Sequence, residues 1–261
     1  MISTGTIVFM ILDLILGFAI PVCLAWWMIR KYKVRLSTIL IGAATFIVFA
    51  LVLEALVHRI VLSGERGALI QGKTLYYALY GGLMAGLFEE TGRFLSMKFL
   101  MKKEPTTALP GLAYGAGHGG VEMLIVFGFS MISNLVMAVM INAGQLETIV
   151  AQTPAEAQEQ VRTAAVKLAE LRAGDLLLGL WERISALILH LSLSVLVWAA
   201  VRKGGKWLWL FPAAILLHAG VDAQAVILSK SASMPALEAI IFAESIAIAG
   251  IAYMVGRRIS S

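Results

Sequence analysis

Seven long apolar runs, joined mostly by short polar connections, leave this chain one class of fold. They cover roughly Thr4–Ile29, Ser37–Val57, Leu75–Met101, Leu109–Asn142, Asp175–Val201, Trp207–Leu228 and Pro235–Val255. Each can cross about 30 Å of hydrocarbon as a helix, which pairs its own backbone N–H and C=O groups where no water is present. Composition agrees: 60% of the 261 residues are hydrophobic, 14% are charged and mean hydropathy is +0.87, well away from soluble domains. The expected fold is all-α, a polytopic transmembrane helical bundle of about seven spans, with residues 1–261 forming a single integral-membrane domain.

The basic residues orient the bundle. With the N-terminus outside, the cytoplasmic connections hold twelve of them: Arg30, Lys31, Lys33 and Arg35, then Lys98, Lys102 and Lys103, then Arg202, Lys203 and Lys206, then Arg257 and Arg258. The outer connections hold seven over longer stretches, so the positive-inside bias predicts N-out and C-in. A cleaved signal peptide is not expected, because no basic residue precedes the first run and four follow it. Trp26, Trp27, Trp207 and Trp209 fit interfacial belts. The net charge of +5 then reflects membrane anchoring; the partner is the lipid bilayer, and no nucleic acid is expected, since no basic stripe interleaves with aromatics. The lone Cys23 allows neither an internal disulfide nor a thiol-rich metal site.

One connection is long. Residues 143–174 are rich in Ala, Gln and Glu, and Thr153-Pro154 followed by Glu156 marks a helix start. Val161, Ala165, Leu168 and Leu171 fall near helical spacing, which predicts an amphipathic outer helix.

Ionisable residues inside the apolar runs carry the functional signal. They are Glu89, Glu90 and Arg93 in the third run, His118 and Glu122 in the fourth, His190 in the fifth, and His218 and Asp222 in the sixth. Such groups are expensive in hydrocarbon unless they face one another or a watery cavity. Counted at about 1.5 Å per residue from the cytoplasmic ends, His118 lies roughly 14 Å deep, His190 and His218 about 17 Å, and Glu89 about 18 Å. Four helices therefore deliver polar groups to one layer. His118 and Glu122, and likewise His218 and Asp222, are four apart and share a helix face. Arg93 is within reach of either glutamate, and neutralising one leaves the other free for proton transfer. Gly111, Gly115, Gly117, Gly119 and Gly120 let the backbone around His118 approach another helix or an extended substrate closely. Asp13, Glu54 and Glu244 also lie at membrane depth without a motif, Glu182 and Arg183 fall near the outer end of the fifth run, and His58 beside Arg59 is expected as an exposed interfacial residue.

The order Glu-Glu-x-x-Arg, Gly-His-Gly-Gly-x-Glu, Glu-Arg-x-x-Ala-x-x-x-His and His-x-x-x-Asp, spread over roughly Tyr77 to Ile227, resembles the YhfC family of intramembrane metalloproteases. That family is similar in turn to CAAX-prenyl-endopeptidase-like and PrsW-type membrane proteases. The resemblance implies peptide-bond hydrolysis inside the membrane, with the catalytic role on the first glutamate of the pair, Glu89.

Amide hydrolysis needs an activated water, stabilisation of the oxyanion and a proton for the leaving amine. Glu89 or Glu90 suits the acid and base role. His118, His190 and His218, with Glu122 or Asp222 as ligand or supporting partner, suit a zinc ion. A metal-free route stays open, in which Glu89 and His118 activate water while His218 and Asp222 serve the oxyanion side, as the resemblance to the prenyl-protein proteases implies. The expected substrate is a peptide or membrane protein, reached by a chamber opening to the cytoplasm of a bacterial cell membrane. A proton-coupled transporter would use similar charges, but no inverted repeat accompanies them, and a non-enzymatic scaffold has no need of the base. The orientation is checked with fusions: a reporter after Ser261 is expected in the cytoplasm and one within Thr153–Glu170 outside, and both on one side would refute the span count.

Overall fold

The computed structural model describes residues 1–260; Ser261 lies outside them. Among the described residues the chain is helical throughout, without a strand. Six helices are long and apolar enough to cross a membrane. The first is α1 (Thr4–Tyr32). The second runs through α2 (Leu36–Phe46), a π-helical stretch at Ile47–Glu54 and α3 (Ala55–Val61). A short α4 (Gly64–Gln71) leads to α5 (Thr74–Leu100), which at 27 residues matches the expected third span in length but carries Glu89, Glu90 and Arg93 along its middle. Next come α6 (Ala108–Glu122), a second π-helical stretch at Met123–Gly128 and α7 (Phe129–Asn142), continuous as one span. After α8 (Leu146–Gln152) and α9 (Gln158–Glu170), the last spans are α10 (Ala173–Lys203), α11 (Leu210–Leu228) with its 3-10 lead-in, and α12 (Met234–Ser260). The protein is a polytopic all-α membrane protein with about seven spans. Arg30 and Lys31 close α1, Arg202 and Lys203 close α10, and Arg257 and Arg258 close α12, placing cations where the helix dipole is negative.

The outer connection differs from the single expected helix. Pro154 holds Thr153 extended (φ −86°, ψ 140°), because its ring disfavours helical backbone in the residue before it. The segment therefore splits into α8 and α9. The expected stripe is real: α9 buries Ala165 and Leu168, with Val161 and Leu171 half-buried. Arg162 reaches back to both carboxylate oxygens of Glu147, at 2.5 and 2.8 Å, and joins the two helices.

The chain divides into two compact units. One comprises Met1–Ile20 with Met123–Arg183. Within it Asn142 bonds both the N–H and the C=O of Ile2 (2.7 and 2.9 Å), and Phe18 meets Phe129 edge-on. The other comprises Pro21–Glu122 and the chain from Ile184 onward. Its core gathers Met97 and Met101 of α5, Tyr114 of α6, Leu193 and Trp198 of α10 and Ala214 of α11.

In this second unit, glycines set how closely the helices approach. A Cβ at Gly82 of α5 would lie 2.4 Å from the Ala219 carbonyl oxygen of α11, and one at Gly86 would lie 2.6 Å from that of Ile215. As numbers rise on α5 they fall on α11, so the two run antiparallel. The same logic makes α6 and α10 antiparallel, with Gly111 against Ser194 and Trp198 and Gly119 against His190 and Leu187. Gly117 meets Ile39 of α2, and Gly120 meets Pro21. All five glycines around His118 thus face protein neighbours. Gly82→Ala is expected to force α5 from α11 and lower stability by about 1–3 kcal/mol as overpacking does, whereas Gly81→Ala, with open space at its Cβ, is expected to leave the melting temperature in detergent unchanged or raised. Equal melting temperatures for the two variants would contradict this packing.

Candidate active site

The close helix contacts converge on the polar residues of the second unit. On α5, Glu89, Glu90 and Arg93 are buried; so are His118 on α6, His190 on α10 and His218 on α11. The three imidazoles form a row, with ring centroids 5.1 Å apart from His118 to His190 and 5.4 Å from His190 to His218. Glycine makes the row possible: Gly115 and Gly119 bring α6 against the backbone and ring of His190.

Arg93 organises one side. Its Nη1 donates to Glu90 Oε1 at 2.5 Å, and Glu90 Oε1 also lies 2.9 Å from His218 Nδ1. The other nitrogen of His218 faces Asp222 Oδ2 at 3.5 Å. Arg93 Nη2 lies 3.1 Å from His190 Nδ1. A guanidinium can only donate, so Nδ1 accepts and the His190 proton sits on Nε2, which faces Glu122 Oε2 at 2.5 Å. Helical spacing allowed Arg93 either glutamate, and the structure pairs it with Glu90.

Glu89 is placed differently. Its Oε2 lies 2.8 Å from His118 Nε2 and 3.8 Å from His190 Nδ1. One donor atom from each of Glu89, His118 and His190 lies within 4.8 Å of the others, a grouping able to hold a metal ion. The donor chemistry fits: two imidazoles and a carboxylate make the three-ligand set of a catalytic metal site, with a position left for water.

Every sequence-predicted site residue comes into this one constellation, though not with the expected neighbours. Glu89 stands among the metal-capable atoms, whereas His218 is held between Glu90 and Asp222 and lies outside that grouping. Glu122 shares a helix face with His118 yet pairs with His190 across helices. The reason is crossing geometry, which i to i+4 spacing along one helix does not contain. Phe46 sets an edge against the His118 ring at 5.2 Å, and Ser96 donates to Tyr114 Oη at 3.0 Å.

Two residues take places that the sequence reading did not assign. Glu54 is buried at the end of the π-helical stretch and lies 3.1 Å from His58 Nε2. His58 Nδ1 lies 2.8 Å from Tyr80 Oη. His58 is therefore half-buried with both nitrogens engaged, not an exposed interfacial residue. The signal was present as a Glu-x-x-x-His spacing; what the sequence lacks is Tyr80, brought alongside from α5. Of the others, Glu182 pairs with its neighbour Arg183, and Glu244 accepts from Gln224 at 2.6 Å.

The profile of the YhfC intramembrane metalloprotease family matches residues 16–246. A relative from Bacillus subtilis (strain 168), described as "Uncharacterized membrane protein YhfC", is 39% identical over 231 residues, covering 88% of each chain. No solved structure matches. With a family match over most of its length and a relative this similar across nearly nine-tenths of both sequences, the chain belongs to the YhfC intramembrane metalloprotease family.

Proposed function

We propose that this protein is an intramembrane peptidase of a bacterial cytoplasmic membrane, which hydrolyses a peptide bond of a membrane-associated substrate with glutamate-activated water at a zinc site. The observation that carries the reading is the buried meeting of Glu89, His118 and His190 donor atoms from three helices. In this reading Glu89, His118 and His190 hold the ion, with His190 Nδ1 exchanging its contact with Arg93 Nη2 for the metal. Bound there, zinc would polarise the scissile carbonyl and bring a water's acidity close to neutral pH.

The chain's own groups divide the remaining work. Glu122 Oε2 lies 2.5 Å from His190 Nε2, and its carboxylate can take a proton from water and return it to the leaving amine. Arg93 pairs with Glu90, and Glu90 with Asp222 brackets His218. His218 is so positioned to donate to the developing oxyanion. A second reading has its own support, the 2.8 Å contact between Glu89 Oε2 and His118 Nε2: Glu89 is then the base, oriented by His118, and no metal is used.

Metal analysis separates the two. The zinc reading expects about one ion per purified chain, retained in His218→Ala and weakened by roughly an order of magnitude or more in His118→Ala and His190→Ala, since loss of one of three ligands opens the site. A metal-free protein whose cleavage of a membrane substrate is abolished by Glu89→Gln would instead establish the glutamate reading. Activity surviving Glu89→Gln in a metal-free protein would refute both.

Stability distinguishes the two glutamates. Glu90→Gln removes the partner of the fully buried Arg93 and is expected to cost about 3–5 kcal/mol. Glu89→Gln keeps its volume and deprives no cation of a charge partner, so its thermal unfolding should stay near that of the parent. Equal loss in both variants would remove the assigned division.

A further inference from the structure

The polar site is not placed symmetrically between the two ends of its helices. Because α5 and α11 run antiparallel, Thr74 and Leu228 mark one end of this pair and Leu100 and Leu210 the other. Along α5 from the Thr74 end the order is Tyr80, Glu89, Glu90, Arg93, Met97, Met101; on α11 Asp222 lies one turn nearer the Leu228 end than His218. The side chains open progressively in that direction. Arg93, Glu90 and His118 are 0% exposed, Glu89 9%, Glu122 15% and Asp222 39%.

The other direction is packed mostly by apolar side chains. Met97 and Met101 on α5, Leu193 and Trp198 on α10 and Ala214 on α11 belong to one buried core, each at most 1% exposed. A cavity of about 190 Å³ at that end is lined by Thr38, Glu104, Pro110 and Ala113 among others. On that side Ser96 bonds Tyr114 and the Arg93 carbonyl, and with Thr45 it borders a cavity of about 600 Å³ whose lining is otherwise mostly apolar.

Towards the Thr74 and Leu228 end the wall is polar. Glu54, His58 and Tyr80 form an unbroken hydrogen-bonded string from a buried carboxylate to a half-buried imidazole and phenol. Beyond them lies a cavity of about 400 Å³ lined by Gln71, Thr74, Tyr77, Val226, Ser229 and Lys230. Ionisable groups at membrane depth are tolerated where they border water, and the more exposed groups of this site, Glu122 and Asp222, lie towards this end.

We infer that the site opens to the aqueous phase at the Thr74 and Leu228 end, past Asp222 and the Glu54–His58–Tyr80 wall, and that this end faces the outside of the cell. The positive-inside bias assigns that side: the connection from α3 to α5 and that from α11 to α12 are the outer ones in the N-out arrangement. The inferred direction differs from the expected chamber opening to the cytoplasm, on which side the helix core of Met97, Met101, Leu193 and Trp198 is buried and apolar and the cavities are lined mostly by apolar side chains. Resting on the peptidase reading, the substrate is then a peptide segment presented from the outer side of the membrane.

Thiol accessibility tests the opening without recourse to activity. In a Cys23→Ser background, Tyr80→Cys and, on the facing helix, Val226→Cys are treated with a small membrane-impermeant cationic methanethiosulfonate, in intact cells and in inverted vesicles, beside Met97→Cys. The expected result is complete modification at 80 and 226 in intact cells, none at either in sealed inverted vesicles, and none at 97 in both. Modification at 80 and 226 only in inverted vesicles would overturn the outward facing; modification at 97 from the cytoplasmic side, or no modification at 80 and 226 in properly inserted protein, would overturn the opening itself. Because labelling needs no catalysis, failure of the peptidase reading would leave this result standing, and a closed outer end would leave the metal and cleavage measurements unaffected.

Discussion

A guanidinium at 0% exposure in the middle of a membrane helix requires compensation, and much of the polar architecture follows from supplying it. Arg93 finds Glu90 one turn back on α5 and His190 across on α10. A buried pair of this kind gives little net stability against an apolar replacement, but removing one partner leaves the other uncompensated. Its consequence is positional. Arg93 holds Glu90, Glu90 holds His218, and His190 Nδ1 is turned to Arg93, which leaves Nε2 facing Glu122. One cation thereby orients groups from four helices.

Such contacts demand that the helices come closer than ordinary side chains allow. In hydrocarbon, association relies on close packing and polar contacts, since lipid tails are as apolar as the helix faces. Gly82 and Gly86 supply the approach of α5 to α11, and Gly111, Gly115 and Gly119 that of α6 to α10. Without them the imidazole row would be spread apart and Glu89, His118 and His190 could not bring their donor atoms together. Small residues and ionisable residues are thus one design: the first create the distances at which the second compensate one another.

The same arrangement makes the two ends of the site unlike. Met97, Met101, Leu193 and Trp198 pack an apolar core on one side, while Glu54, His58, Tyr80 and Asp222 lie towards the other. For the proposed hydrolysis, a dry surrounding strengthens electrostatics while a polar side offers a route for water.

The apolar runs, the basic ends and the delivery of Glu89, His118, His190 and His218 to one layer were legible in the chain because they depend on helical rise and period alone. The all-α membrane fold, the extents of the spans to within a few residues, and the Glu-Glu-x-x-Arg and His-x-x-x-Asp neighbours on one helix are of this local kind. Which glutamate Arg93 takes, the pairing of Glu122 with His190 and not His118, the grouping of Glu89 with two histidines to the exclusion of His218, and the joining of Glu54 and His58 to Tyr80 were decided by tertiary structure. Each depends on the rotation and crossing of helices distant in sequence, and a periodic pattern along one helix fixes which face a residue occupies, not which residue of another helix it will meet there.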